Sequence, residues 1–187
     1  MASEPSGHDG LMDRVAKATD LLGARGARDV PHPGGTLLAH LRRVHATLGE
    51  WGARPDLCLA GLCHAFYGTD GFAVALGSTD ERATLVEAVG AEAEGIVYLY
   101  AGCDRGFSHS GLAQGGPFRD RFTGEVSDPP EAARRDFAEL TVANELDLVQ
   151  INPEFRERYG HGLRELFDSW EGLLSVPARR AVRSLLG

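Results

Sequence analysis

The sequence predicts an all-α fold in a single domain, and three observations support this prediction. Apolar residues recur along most of the chain at the three- and four-residue spacing of an amphipathic helix. Proline, glycine and asparagine interrupt this pattern at intervals that suit helices of ordinary length. At 187 residues, with 43% hydrophobic and 25% charged residues, the chain is long enough to form one hydrophobic core.

The first part of the chain predicts a short leader followed by five helices. Residues 1–9 are polar and predict a disordered leader, so the domain is expected to span 10–187. Thr36 is placed to cap the second helix. The segment RDVPHPGG, between the first two helices, is rich in proline and glycine and predicts a loop. The five predicted helices cover 11–23, 37–50, 55–66, 80–89 and 91–102.

The second part predicts a long irregular segment and then three more helices. Residues 103–130 are rich in glycine and proline and lack helical periodicity, and loops of this length are usually functional or mobile. A long helix is predicted over 131–151, and Asn152-Pro153 is expected to break it. Two shorter helices, over 162–174 and 176–186, complete the prediction.

Charge and composition exclude some classes of function. The net charge of −8, from 27 acidic against 19 basic residues, argues against nucleic-acid binding. No apolar run approaches the ~18 residues needed to span a bilayer, and no signal peptide is recognised, so no membrane partner is expected. A small molecule is the expected partner, and the sequence allows a homodimer.

Cysteine usage favours a reducing compartment. Cys58, Cys63 and Cys103 form no C-x-x-C pair, and the first two lie in an apolar helical run. We therefore expect buried free thiols and a cytoplasmic protein. The high alanine, glycine and arginine content is typical of a GC-rich bacterial genome.

Polar side chains interrupt the apolar stripes of three predicted helices. His40 lies on the stripe of the second helix, and His64 lies near the end of the third, which is apolar almost all round. Asn144 and Asp147 fall on the stripe of the long helix. A single buried histidine is more often a satisfied core residue. The convergence of three helices predicts a shared polar pocket, because a buried carboxylate needs a partner.

Three segments resemble motifs of the HD-domain superfamily, and in particular the hydrolase domain of the stringent-response alarmone enzymes. They are GTLLAHLRRV from residue 35, LAGLCHAFYGTDGF from residue 59 and VANELDL from residue 142. The resemblance implies an HD-domain-like helical bundle with His40 as the first metal ligand and His64 as the histidine of the His-Asp pair. Ala65 stands where that pair has aspartate, and Asn144 stands at the late aspartate, with Asp147 one turn further. These departures argue against alarmone hydrolysis.

A second resemblance, to a poorly characterised family of small HD-like proteins, covers nearly the whole domain. It rests on HPGGTLLAHL from residue 32, HAFYGT from residue 64 and YLYAGCDR from residue 98. This resemblance implies no known reaction. It adds His32, Tyr67, Thr69 and Arg105 to the expected pocket as substrate-binding residues, alongside Asn144.

The leading hypothesis is a metal-dependent enzyme that hydrolyses a phosphorylated or other polar metabolite. His40, His64 and Asp147 would be the ligands, and His32 could add another imidazole. Such a set suits iron, manganese or zinc, and a site without metal is equally compatible with the sequence. Arg105, Arg119 and Arg121 could supply charge for a phosphate. A second metal-dependent hypothesis is an iron oxygenase of the HD fold.

The same pocket is also compatible with functions that need no metal. His40 or His64 could act as a general acid or base, oriented by Asp147 or hydrogen-bonded to Asn144, with polar contacts from Tyr67 and Asp70. The expected catalytic residues are His64, Asp147 and Asp70, and an isomerase, lyase or cyclase of a bacterial biosynthetic pathway would fit them. The remaining alternative is a non-catalytic small-molecule binding module.

Overall fold

The structure is a computed structural model that describes residues 7–72 and 74–187, and its fold is all-α, as predicted. Within these residues helices dominate, joined by short turns and by four two-residue strands. None of the described helices is long and apolar enough to cross a membrane. The helices are α1 (Gly7–Ala24), α2 (Leu37–Glu50), α3 (Pro55–Cys63), α4 (Arg82–Val89), α5 (Ala91–Gly102), α6 (Arg105–Ser108), α7 (Glu131–Ile151), α8 (Pro153–Ser169) and α9 (Val176–Leu186).

Helix α7 is the centre of the bundle. It contacts α2, α3, α5, α8 and α9, and most of its side chains are buried. Phe137 lies against Tyr100 of α5 and against Trp170, which follows α8. Because α7 is surrounded by apolar neighbours, its polar residues Asn144 and Asp147 are buried as well, at 8% and 6% exposure. They therefore need hydrogen-bond partners on other helices.

A small hairpin precedes α2 and positions a histidine. Strands β1 (Pro31–His32) and β2 (Gly35–Thr36) pair antiparallel, with His32 opposite Gly35. Gly34 in the turn has a φ of 76°, a left-handed conformation that glycine adopts without strain. Thr36 accepts a hydrogen bond from the amide of Ala39, which confirms it as the cap of α2. This hairpin was not predicted, because strands of two residues show no alternating pattern.

Several helix boundaries differ from the prediction, among them the end of α8, at Ser169 rather than at 174. Helix α1 begins at Gly7, within the predicted leader, whose residues 1–6 lie outside the described part of the chain. Helix α3 ends at Cys63, and a turn at 64–67 leads to Gly68, whose φ is 71°. Helix α8 begins at Pro153 rather than at 162, because the side chain of Asn152 caps it by accepting from the amide of Phe155.

The segment 103–130 was predicted to be irregular, but half of it forms short helices and strands. Helix α6 and a 3₁₀ turn over His109–Gln114 are followed by strands β3 (Phe118–Arg119) and β4 (Val126–Ser127), which pair antiparallel. The side chain of Phe118 is buried and its ring lies 5.6 Å from that of Phe137 on α7. The segment is therefore attached to the core through an aromatic contact.

The packing of α2 against α3 yields a first testable prediction. A methyl group at Gly61 would lie 2.5 Å from Cδ1 of the buried Leu48. We expect Gly61→Ala to lower the free energy of unfolding by ~1–3 kcal/mol, because the core has no room for the extra carbon. Gly95, within α5, has nothing within 4 Å of the same position.

The control Gly95→Ala should raise stability by ~0.5–1 kcal/mol through its effect on helix propensity. Urea unfolding of both variants measures the two effects. Equal stability of the two variants would contradict the close packing of α2 on α3.

Candidate functional site

The predicted pocket exists as a cavity of about 260 Å³ at one end of α7. It lies where the β1–β2 hairpin, α2, the turn after α3, the start of α6 and the end of α7 meet. The lining is part apolar and part polar, which is typical of small-molecule sites. The lining residues are Pro31, His32, Pro33, Leu37, His40, His64, Ala65, Thr69, Asp70, Gly71, Phe72, Arg105, Asn144, Glu145, Leu148 and Phe155.

His40 connects α2 to α7 through both nitrogens of its ring. The side chain is 1% exposed. Its Nδ1 lies 2.6 Å from Oδ2 of Asp147, and its Nε2 lies 2.9 Å from Oδ1 of Asn144. Asp147 and Asn144 are one turn apart on α7, so the imidazole is held between two successive turns.

The partners of Asn144 determine which atom of its amide faces His40. Its Nδ2 donates to Oε1 of Glu145 at 3.2 Å, and Nη1 of Arg105 donates to the same oxygen at 3.1 Å. The amide oxygen is therefore left for His40, which must donate to it from Nε2. Because Nδ1 faces a carboxylate, His40 donates from both nitrogens and is an imidazolium ion in this arrangement.

Arg43 completes the environment of Asp147. It donates from Nε to Oδ1 at 2.7 Å and from Nη2 to Oδ2 at 3.0 Å, in the two-pronged geometry that arginine favours with carboxylates. Burial acts to raise the pKa of Asp147, but the hydrogen bonds from His40 and Arg43 outweigh it and hold that pKa below its usual value. Asp147 is therefore ionised and pairs with two cations.

His64 presents a free nitrogen lone pair. It follows α3, and its Nδ1 donates to the carbonyl oxygen of Gly61 at 2.8 Å, which satisfies a carbonyl at the helix end. Burial, and secondly the charge of His40, lower the pKa of His64 to about 3, so it is neutral at pH 7. Its Nε2 is then an acceptor, and no side chain or backbone group of the described residues bonds to it.

His32 adds a third imidazole. Its ring stacks on that of His40, with centroids 4.2 Å apart and an interplanar angle of 25°. Burial and the charge of His40 lower the pKa of His32 to about 4, so this ring is also neutral. The edge of Phe72 meets it at 5.7 Å. The site thus combines one imidazolium with two neutral imidazoles.

Another part of the cavity lining holds Arg105, a cation that is paired with a carboxylate. The backbone amide of Arg105, at the start of α6, donates to Oδ2 of Asp70 at 3.0 Å. The guanidinium of Arg105 donates to Glu145 and, at 3.2 Å, to the hydroxyl of Tyr100. Thr69 lies beside Asp70 in the same wall. The structure thus places Asp70, Thr69 and Arg105 in the cavity, next to the three histidines and Asn144.

Three residues expected near the site lie elsewhere. Tyr67 is buried, but it donates its hydroxyl proton to Glu94 at 2.8 Å and does not line the cavity. Arg119 packs over Phe107 and pairs with an acidic neighbour, and Arg121 donates to a backbone carbonyl. Neither arginine faces the cavity, so the cationic groups expected for a phosphate are reduced to Arg105.

The residues at this position do not fit a resident metal ion. Both nitrogens of His40 and both carboxylate oxygens of Asp147 already take part in hydrogen bonds, and Arg43 places a cation on the same carboxylate. Of the three predicted ligands, His64 has an unpartnered nitrogen, whereas Asp147 keeps at most one further lone pair, on Oδ1, beside the cation of Arg43. Across the described ranges, histidine, cysteine and acidic side chains form no group of three or more that could hold a metal.

The neutral histidines predict that acid destabilises the fold. His64 and His32 have pKa values of about 3 and about 4, and burial also lowers that of His109 to about 4, against an ordinary value of 6.5. At pH values between these lowered pKa values and 6.5, the unfolded chain binds protons that the folded chain does not. The free energy of unfolding therefore decreases as the pH falls from about 6.5 towards 4. For His64 the slope is at most about 1.4 kcal/mol per pH unit.

Urea unfolding between pH 7.5 and pH 4.5 measures this slope. His109→Gln should reduce it, whereas His161→Gln, which removes an exposed histidine, should leave it unchanged. A pH-independent unfolding free energy across this range would show that these rings are not neutral in the folded chain.

Comparison with known proteins gives one match. Residues 21–105 match the model of a domain of unknown function, DUF6817. The match covers just under half of the chain and includes His32, His40, His64 and Arg105, but it ends before Asn144. No curated protein and no solved structure matches the chain.

Two polar residues of the site were not expected from the sequence. Arg43 is one helical turn from His40, and this spacing is the only signal that it could reach the same partner on α7. Glu145 follows Asn144 directly and lies off the apolar stripe that drew attention to its neighbour. Its partner Arg105 is distant in the sequence, so the pair depends on tertiary packing.

Proposed function

We propose that this protein is a small-molecule enzyme that transfers protons without a metal, with His64 as the proton acceptor and His40 as a fixed positive charge. The observation that carries the proposal is a pair of buried imidazoles in one cavity, with ring centroids 5.2 Å apart. The Nε2 of His64 has no partner among the described residues, whereas both nitrogens of His40 are hydrogen-bonded. Environments that push neighbouring titratable groups to different protonation states are characteristic of acid–base sites.

The contacts of His64 and His40 indicate the role of each residue in the reaction. Nε2 of His64 accepts a proton from an O–H, N–H or acidic C–H group of the ligand. Negative charge then develops on the ligand, and the imidazolium of the buried His40 stabilises it. The proton on His64 returns to the ligand at another atom or to its leaving group. This sequence suits an isomerase or a lyase.

The low pKa of His64 has a consequence for this chemistry. A resting base with a pKa of about 3 takes a proton only when negative charge forms beside it. His64 is therefore a hydrogen-bond acceptor before the reaction and a base during it. Asp147 and Arg43 hold His40 in place and do not line the cavity, so these two residues act through His40 rather than on the ligand.

Kinship with the HD-domain superfamily and a cytoplasmic location belong to the same proposal. The cavity unites the two histidines of the HD-like motifs with Asn144, which supports the kinship. All three cysteines are free and buried, and burial raises the pKa of the Cys63 thiol to about 12, which suits a reducing compartment.

Incubation of the protein with a bacterial metabolite extract tests the proposal. We expect mass spectrometry to show that the wild-type protein, with excess EDTA, consumes one small metabolite and forms an isomer or an elimination product. His40→Gln should abolish the conversion, because a neutral amide cannot stabilise the charge. His161→Gln, at an exposed side chain of α8, is the matched control and should convert the metabolite normally.

Two results would contradict the proposal. Conversion that stops with EDTA and returns with iron, manganese or zinc would favour the metal-dependent hydrolase or oxygenase. A metabolite that binds to the protein and is recovered unchanged, with His40 and His64 both needed for binding, would favour a non-catalytic binding module.

A further inference from the structure

We infer that the ligand of this cavity is a small uncharged metabolite that carries several hydroxyl groups, and that the cavity discriminates against phosphate esters. This inference rests on the proposed function, because it concerns the same cavity. It departs from the phosphorylated metabolite expected at first, and it follows from the charges and the unpartnered atoms of the lining.

The charges of the lining are balanced within the protein. Arg105 gives its backbone amide to Asp70 and its guanidinium to Glu145. The start of α6, where a phosphate could accept a backbone N–H, is thus already occupied by a carboxylate. His40 is balanced by Asp147, which Arg43 also binds. A phosphate would bring uncompensated negative charge beside the carboxylates of Asp70 and Glu145.

The unpartnered atoms include both acceptors and donors. Nε2 of His64 is an acceptor, and Oε2 of Glu145 receives no hydrogen bond from the residues that the structure describes. The guanidinium of Arg105 has further N–H groups beyond the two that bind Glu145 and Tyr100. Hydroxyl groups match this mixture because each can donate and accept at once.

The size and apolar wall of the cavity narrow the ligand further. Its volume of about 260 Å³ lies just under the usual range of ~300–1,000 Å³ for small-molecule pockets. Leu37, Leu148, Phe72 and Phe155 supply the apolar part of the lining. The C–H faces of a single hydroxylated ring or a short polyol can pack on these side chains while its hydroxyl groups face the polar wall.

Matched pairs of probes test the inference on the full chain. Glycerol, ribose and inositol are each compared with their monophosphate by saturation-transfer NMR and by the shift of the His64 ring nitrogens. We expect at least one uncharged probe to bind and to shift Nε2 of His64, and its phosphate ester to bind at least about tenfold more weakly.

Asp70→Asn provides the matched charge control. It removes one carboxylate from the amide at the start of α6 and keeps the shape of the side chain. We expect this variant to shift the ratio of the two affinities about tenfold in favour of the phosphate ester, compared with the wild type. An effect of equal size on both probes would show that Asp70 shapes the cavity without setting its charge preference.

The inference fails if no uncharged probe binds, or if a phosphate ester binds more tightly than its parent. These outcomes are distinguishable from failure of the proposed function. If a phosphate ester binds at His64 and is converted in the presence of EDTA, the inferred ligand class is wrong, but the proposed proton-transfer function is still supported. If an uncharged probe shifts the NMR signals of His64 but the protein converts no hydroxylated metabolite, the inferred ligand class is supported and the proposed proton-transfer function is refuted.

Discussion

Replacement of Asp147 by alanine is expected to lower the free energy of unfolding by ~3–5 kcal/mol at pH 7, the largest stability effect that we predict. Asp147 is 6% exposed and accepts hydrogen bonds from His40 and from Arg43. Its removal leaves the buried His40 to give up its proton or to stay charged without a counterion. Either outcome costs free energy that the native pair does not.

A matched control separates this effect from a general loss of charge. Asp168→Ala removes an exposed carboxylate that pairs with Arg164 one turn away on α8, and such pairs contribute at most about 0.5 kcal/mol. Urea unfolding measures both variants. A double variant, Asp147→Ala with Arg43→Ala, should lose less than the sum of the single losses, because each removes the other's partner. Equal losses for Asp147→Ala and Asp168→Ala would refute the buried ion pair.

His64→Gln is expected to reduce turnover of the physiological substrate by ~10²–10⁴-fold while the fold is retained. Glutamine is similar to histidine in size and polarity, but its amide cannot take a proton. The loss should therefore appear in kcat more than in KM. Circular dichroism and urea unfolding show whether the domain is intact.

His109→Gln is the matched control for this experiment. Burial lowers the pKa of His109 to about 4, but this half-buried imidazole lies against Phe137 and Trp170, away from the cavity lining. We expect this variant to keep its turnover. If His64→Gln keeps full turnover instead, His64 does not carry the chemistry and the site assignment is wrong.

The fold class could be predicted from the sequence because helical periodicity is a local signal. The bounds of α2, α5 and α7 agree with the pattern of apolar residues. The start of α8 was predicted wrongly because Asn152-Pro153 is compatible with two local structures. It ends one helix, but asparagine is also a favoured cap and proline a favoured first residue of the next helix. The side-chain contacts of Asn152 decide between them.

The convergence of His40, His64 and Asn144 was also predictable, since each interrupts an apolar stripe or a buried helix. The roles of these residues were not. Arg43 saturates Asp147, and this contact joins residues more than one hundred positions apart. Tyr67 lies close to the site in sequence, but its hydroxyl is directed to Glu94. Residues that could have bound a metal instead form a hydrogen-bonded network, because charged side chains pair across the bundle. Spacing in the sequence does not indicate these pairs.

The most direct test of the account is an NMR titration of the histidine ring nitrogens in uniformly ¹⁵N-labelled protein. Assignment uses His40→Gln and His64→Gln. Between pH 5 and pH 8 we expect His64 to carry one N–H at Nδ1 and a bare Nε2. On His40 we expect hydrogen on both ring nitrogens, in their bonds to Asp147 and Asn144, and no change when Zn²⁺ is added. A protonated Nε2 on His64 at pH 6, or a bare nitrogen on His40 that shifts with Zn²⁺, would contradict the metal-free proton-transfer site.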